Sequence, residues 1–287
     1  MSPFKETLIV FEHEMKRSLR SAKTLVLLIL YSLATVISGL VFIAATRGFQ
    51  EKLSGALQGQ EIPADAMSEL KLEGLKAIVG SNEAQIQYLA SIPLIVLFFT
   101  WFALRFIPLL TALIGFDQVS GELQTRSIRF VTLRARRGSL LTGKVLAQVA
   151  LLIGMTAIVN LGVFGYAAAT IKDFPVGAGF AAMARFWGLT LVSALVYVGA
   201  ATLFSCLFRT PLLSFLSAIS FLLATGTMAW LAVFDRFKFL KHALPSTYEE
   251  GFFKVDAMGV LGSVGALLGF AAGFLALSYL ALRARDV

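Results

Sequence analysis

The strongest chemical pattern in the sequence is Gly138-Ser-Leu-Leu-Thr-Gly143-Lys144-Val145. Its spacing is that of a phosphate-cradling loop, G-x-x-x-x-G-K-[ST], in which the last hydroxyl must reach Mg²⁺. Val145 has no hydroxyl, and the segment runs straight into an apolar stretch instead of linking a strand to a soluble helix. No nucleotide is expected there, and no cofactor is expected in this chain. The single cysteine, Cys206, excludes a disulfide framework and a cysteine metal cluster. His13 and His242 are far apart, so no metal-spaced pair exists. Inside the long apolar stretches there is no His, Asp or Glu. That removes the nucleophile–base pair of an intramembrane hydrolase and the buried carboxylates usual in ion-coupled transport.

A few polar groups do interrupt the apolar stretches. Arg105, in Phe98-Phe-Thr-Trp-Phe-Ala-Leu-Arg105-Phe-Ile-Pro108, is a charge near mid-span. Burying it is costly, so it should face the bundle, a wet cavity, or an anionic substrate or headgroup. Pro108 frees a backbone carbonyl that could accept from the guanidinium. Asn160 and Tyr197 are expected either to bond a neighbouring helix or to line a path.

The elements that must position these groups follow from composition. The 287 residues are 57% apolar and 15% charged, with mean hydropathy +0.80. Soluble domains run at about 45–50% and about 25%. A soluble globule could not hide this much apolar side chain, which excludes a soluble enzyme, a disordered chain and a small DNA-binding domain. About 20 apolar residues cross a bilayer as a helix. Spans are predicted at 24–46, 92–116, 145–171, 185–208, 212–234 and 258–282. The fold class is therefore an all-α integral membrane protein with six transmembrane helices.

Outside the spans, residues 1–23 read as an amphipathic interface helix, with Phe4, Leu8, Phe11, Met15 and Leu19 at helical spacing. Residues 47–91 form an outer loop in which Pro63, followed by Met67 and Leu70, predicts a helix start. Residues 117–144 form the sizeable inner loop, and 235–257 an aromatic outer segment dipping back toward the bilayer. The net charge is +8. Lys16, Arg17, Arg20, Lys23, Arg126, Arg129, Arg136 and Arg137 all fall on the side that holds both termini. This is the positive-inside pattern, so nucleic acid is not needed to explain the charge. Gly265, Gly269 and Gly273 place a small-residue stripe on the last span. It suits close helix packing within the chain or at a dimer seam.

The inner loop, Gly115-Phe-Asp-Gln-Val-Ser-Gly121-Glu122-Leu-Gln-Thr-Arg126 onward, is too apolar for a tether. It resembles the corresponding loop of ABC type 2 exporter permeases. Phe116-Asp117 takes the place of their aromatic–acidic pair, and Gly121-Glu122 their Gly-Glu. Arg136 or Arg137 takes their Arg, and Gly143-Lys144 their Gly-Lys. Two departures stand out: Arg126-Ser127 where Gly-Thr is usual, and Ala135 where Pro is usual.

That resemblance implies a single transmembrane domain with an N-terminal amphipathic helix and a re-entrant outer segment before the last span. It implies a coupling helix in 117–137 seated on a separate ATP-binding-cassette ATPase, with contacts at Phe116, Asp117, Val119, Glu122 and Arg126. ATP and Mg²⁺ would sit in that partner, present in two copies beside two permease chains, identical or different. The implied location is a bacterial inner membrane with both termini cytoplasmic. The outer segments could dock a periplasmic partner. The residues alone also leave open a non-transporting scaffold or an ATP-independent channel.

Overall fold

Lipid offers no hydrogen bonds, so an apolar run must satisfy its own backbone groups, and a helix does so. A computed structural model of the chain describes residues 2–56, 72–73, 82–133, 135–170 and 174–285. Among them are the helices α1 (Pro3–Leu19), α2 (Ala22–Ala56), α3 (Glu83–Ser91), α4 (Leu94–Gly115), α5 (Ser120–Gln124) and α6 (Ile128–Thr132). The order continues with α7 (Arg137–Thr170), α8 (Val176–Leu207), α9 (Pro211–Leu231), a 3₁₀ segment (Asp235–Ala243), α10 (Pro245–Glu249), a second 3₁₀ turn (Glu250–Phe253) and α11 (Ala257–Arg283). No strand occurs among the described residues. Six helices, α2, α4, α7, α8, α9 and α11, are long and apolar enough to cross a membrane. The protein is an all-α integral membrane protein. The helix predicted near Pro63 lies outside the described residues, as does Arg134.

Local chemistry sets the helix starts. Ser2 caps α1, its hydroxyl accepting from the Lys5 amide, and Pro3 follows at the first turn. Pro93 separates α3 from α4, Pro211 opens α9, and Pro245 opens α10. Asp256 caps α11 through the Met258 and Gly259 amides, at 3.1 and 2.7 Å. Two helices outrun their apolar stretches. α7 begins at Arg137 rather than Val145, and α8 at Val176 rather than Arg185. In both cases the helix continues into the polar layer because no proline or glycine pair stops it.

α8 is the central post. It touches α4, α7, α9 and α11 and is buried along most of its length. α11 crosses it at Gly199, where a Cβ would stand 3.0 Å from the Phe274 Cβ and 3.2 Å from the Ala271 carbonyl oxygen. Close backbone approach at small residues is how helices associate without a hydrophobic drive between them. The Gly265, Gly269 and Gly273 stripe is not part of this crossing. These glycines are exposed, with no atom within 4 Å of where a Cβ would stand. The 235–257 segment does fold back on the bundle. Phe252, fully buried, packs with Leu104, Val196, Tyr197 and Leu267.

α1 lies along the first half of α7 and turns Glu6 and Glu14 inward. Phe4, Leu8, Ile9 and Leu19 are left exposed, as an interface helix requires. Both termini fall at the same end of the bundle. The Ser139 hydroxyl donates to the Pro3 carbonyl, and Arg137 Nη1 donates to the Leu282 and Arg283 carbonyls at 3.3 and 2.6 Å.

α1 crosses α7 at Gly143. A Cβ there would meet Val10 at 2.7 Å and the Thr7 carbonyl oxygen at 2.9 Å. Gly to Ala in a helix interior ordinarily stabilises by about 1 kcal/mol. Gly143→Ala is expected to do the opposite, destabilising by about 1–3 kcal/mol through overpacking. Gly154→Ala, with open space around it, should keep the ordinary sign. Thermal unfolding of the two variants in detergent separates these outcomes.

Candidate functional site

The Lys144 side chain has no exposed surface. Its Nζ lies 2.6 Å from Glu14 Oε1 on α1 and 2.6 Å from Glu122 Oε1 on α5. Arg17, on the exposed side, stands 3.5 Å from the same Glu122 oxygen and 3.9 Å from Glu14 Oε1. Two carboxylates thus share two cations, and the buried lysine is the centre of the cluster. The phosphate-loop-like stretch Gly138–Lys144 is the first turns of α7. Its glycine admits α1 and its lysine gathers the carboxylates.

The same loop is fixed at further points. Lys23 at the start of α2 donates to Asp117 Oδ1 at 2.6 Å and to the Ile114 carbonyl at 3.1 Å. It also stands 4.2 Å above the Phe116 ring, and Phe116 meets Phe215 of α9 edge-on. Ser205 of α8 accepts from the Val119 and Ser120 amides at 2.8 and 3.0 Å, capping α5 from another helix. Val119 and Ile128 are buried with Leu140, Cys206 and Leu282. The 116–136 loop is therefore tied to α1, α2, α7, α8 and α9, and would move with them as one piece.

Of the five residues expected to meet a partner ATPase, Arg126 is exposed. Val119 and Glu122 are buried, and Phe116 and Asp117 are half-buried against Lys23. Arg126 has φ 58°. That left-handed conformation favours glycine, the residue expected at this place from the loop's resemblance. The apolar surface left open lies beyond Arg126, with Phe130 74% and Leu133 83% exposed. Their signal in the sequence was an i, i+3 pair after an inward-facing Ile128.

A polar cavity of about 130 Å³ lies between α1, α2, α4 and α7 beside Lys144. Gln148 Oε1 and Gln118 Oε1, both lining it, are buried without protein partners. Ordered water is the natural donor to such groups.

In the apolar half of the bundle, Tyr197 is buried and its hydroxyl donates to Glu249 Oε1 at 3.5 Å. Ser193 donates to the same oxygen at 2.5 Å. Glu249 comes from α10, not from a span, so scanning spans for acids missed it. The available signal was Tyr248-Glu249-Glu250 set in an aromatic segment. Burial pushes the Glu249 carboxyl above the usual carboxylate range, with the hydrogen bond from Ser193 and the field of Arg105 opposing. Arg105 itself is exposed on α4. Asn160 lines a different, small cavity of about 30 Å³ with Thr100, Trp187 and Thr190.

The family described as ABC-2 family transporter protein matches residues 8–287. No curated protein matches the chain.

Removing one partner from a buried ion cluster leaves uncompensated charge, typically costing about 3–5 kcal/mol. Lys144→Met is expected to destabilise by about 3 kcal/mol. Adding Glu14→Gln and Glu122→Gln should recover much of that loss, measured as melting temperature in one detergent. Arg126→Gly should act with the opposite sign, relieving about 1 kcal/mol of left-handed strain.

Proposed function

The chain belongs to the ABC-2 transporter family and is a permease component of an ABC transporter, and we propose that a separate ATP-binding subunit drives it by gripping the 116–136 loop. The observation that carries this reading is mechanical. The loop is locked to five helices, yet it presents Arg126, Phe130 and Leu133 outward at the end of the bundle that holds both termini. A lever must be stiff toward what it moves and open toward what moves it.

The working unit would hold two ATPases and two permease chains, identical or related. ATP and Mg²⁺ would be bound in the ATPases. Their closure would bring the two loops together, and the tied helices would follow. Lys, Arg and few acids on the termini side support a cytoplasmic loop and cytoplasmic termini in a bacterial inner membrane. The direction proposed is export. Glu122, buried on Lys144, would act inside the lever by holding α5 in place, and Phe130 with Leu133 would supply apolar anchors to the ATPase groove.

Phe130→Asp combined with Leu133→Asp should lower permease-dependent stimulation of ATP hydrolysis about tenfold or more. The melting temperature should hold, because both side chains are exposed in the isolated chain. Failure of any ATP-binding-cassette protein to co-purify with the wild-type chain would instead favour a scaffold.

A further inference from the structure

α4 presents Trp101, Arg105 and Leu109 outward, four residues apart and hence on one face. Arg105 is the twelfth residue of a helix running Leu94–Gly115. At 1.5 Å per residue it sits roughly 16 Å from the helix start, near the middle of a hydrocarbon core about 30 Å thick. A headgroup is about 15 Å away in either direction, farther than the side chain reaches. The guanidinium makes no hydrogen bond or ion pair among the described residues. Glu249 lies within its electrostatic field but is buried and already accepts from Ser193 and Tyr197.

Among the described residues, the apolar helices of a second copy would bring no carboxylate to this face. None of the six apolar helices carries Asp or Glu along Ala22–Phe42, Leu94–Gly115, Arg137–Ala169, Val176–Leu207, Pro211–Leu231 or Ala257–Arg283. A partner's span laid on this face would bring apolar, neutral polar or cationic side chains, but no acid. A bare guanidinium near mid-span is costly in lipid. A ligand that enters the bilayer region can bring that counter-charge.

We propose that the Trp101–Arg105–Leu109 face of α4 binds an amphiphile with an anionic group, the acid paired with the Arg105 fork and the apolar body lying along Trp101 and Leu109. This rests on reading the chain as a transporter and names the substrate class. Planar guanidinium suits carboxylate, sulfonate and phosphate alike through paired N–H donors. Glu249 stays engaged by the Ser193 and Tyr197 hydroxyls and does not pair with Arg105.

The test uses the full-length permease alone in nanodiscs, so that its outcome is independent of ATPase coupling. Trp187→Phe with Trp230→Phe leaves Trp101 as the reporter. A brominated alkyl sulfonate and the brominated alcohol of equal chain length are compared as quenchers. The sulfonate is expected to half-quench at a mole fraction about tenfold lower than the alcohol. Arg105→Gln should abolish that difference while leaving alcohol quenching unchanged. Glu249→Gln, which keeps an acceptor for Ser193 and Tyr197, should leave sulfonate binding at least as tight. Equal quenching by both probes in the parent protein would overturn the proposal, as would a preference that survives Arg105→Gln or is lost in Glu249→Gln. If Arg105→Gln does not fold, the parent comparison and Glu249→Gln decide. Loss of ATPase stimulation with sulfonate preference intact would count against the ATPase-driven reading and leave this one standing.

Discussion

A lysine side chain with no exposed surface needs carboxylates around it. Lys144 is that lysine, and the carboxylates come from two directions. Glu14 is brought by the N-terminal helix lying along α7, and Glu122 by a short helix in the loop. Such a cluster adds little net stability compared with an apolar core of the same shape. What it does is fix geometry, because any displacement of α1, α5 or α7 relative to the others exposes an unpaired charge. The penalty for slippage is large while the net gain is small. That combination suits a joint that must transmit motion without absorbing it.

The remaining ties at this end repeat the logic with neutral groups. Ser205 supplies acceptors that α5 cannot find within its own five residues. Arg137 satisfies the last carbonyls of α11, and Arg285 donates to the Leu207 carbonyl at the end of α8. Cations that sequence reading assigns to the membrane surface are thus partly consumed as helix caps. The charge excess has two causes, topology and capping. Only the first can be read from loop composition.

What was legible in the sequence was what depends on one property at a time. Apolar run length located the six long helices, and helical spacing in 4–20 located the amphipathic one. Positions that depend on a partner far along the chain were not legible. Nothing local to Gly143-Lys144 says that one admits Val10 and the other bonds residues 130 and 22 positions away. Nothing local to Gly265, Gly269 and Gly273 says that they face outward while Gly199 makes the tight crossing. Glu122 reads as a surface acid because acids in loops usually are, and Phe130 and Leu133 read as apolar loop residues without being separable from the buried Val119 and Ile128 beside them. The left-handed Arg126 was half legible. A glycine's usual place held by arginine marks a strained turn, but the sign of φ had to be seen.

The two halves of the bundle handle charge in opposite ways, and the contrast bears on function. At the termini end every buried cation finds a carboxylate within 2.6 Å or a carbonyl, so the groups are closed to outside ligands. In the apolar half the carboxylate, Glu249, is sheltered by two hydroxyls and the cation, Arg105, is left facing out. A fold that wanted only rigidity would have paired them, since an ion pair at bilayer depth is less costly than a bare guanidinium. Holding the acid back from the base keeps a positive site open at low dielectric, where each anion contact is worth more than in water. An anionic ligand of the proposed kind would offset the cost of that open charge. A closed joint at one end and an exposed cation in the apolar half are what the proposed ATPase-driven permease would use, stiffness where force would enter and an open charge where an anion would dock.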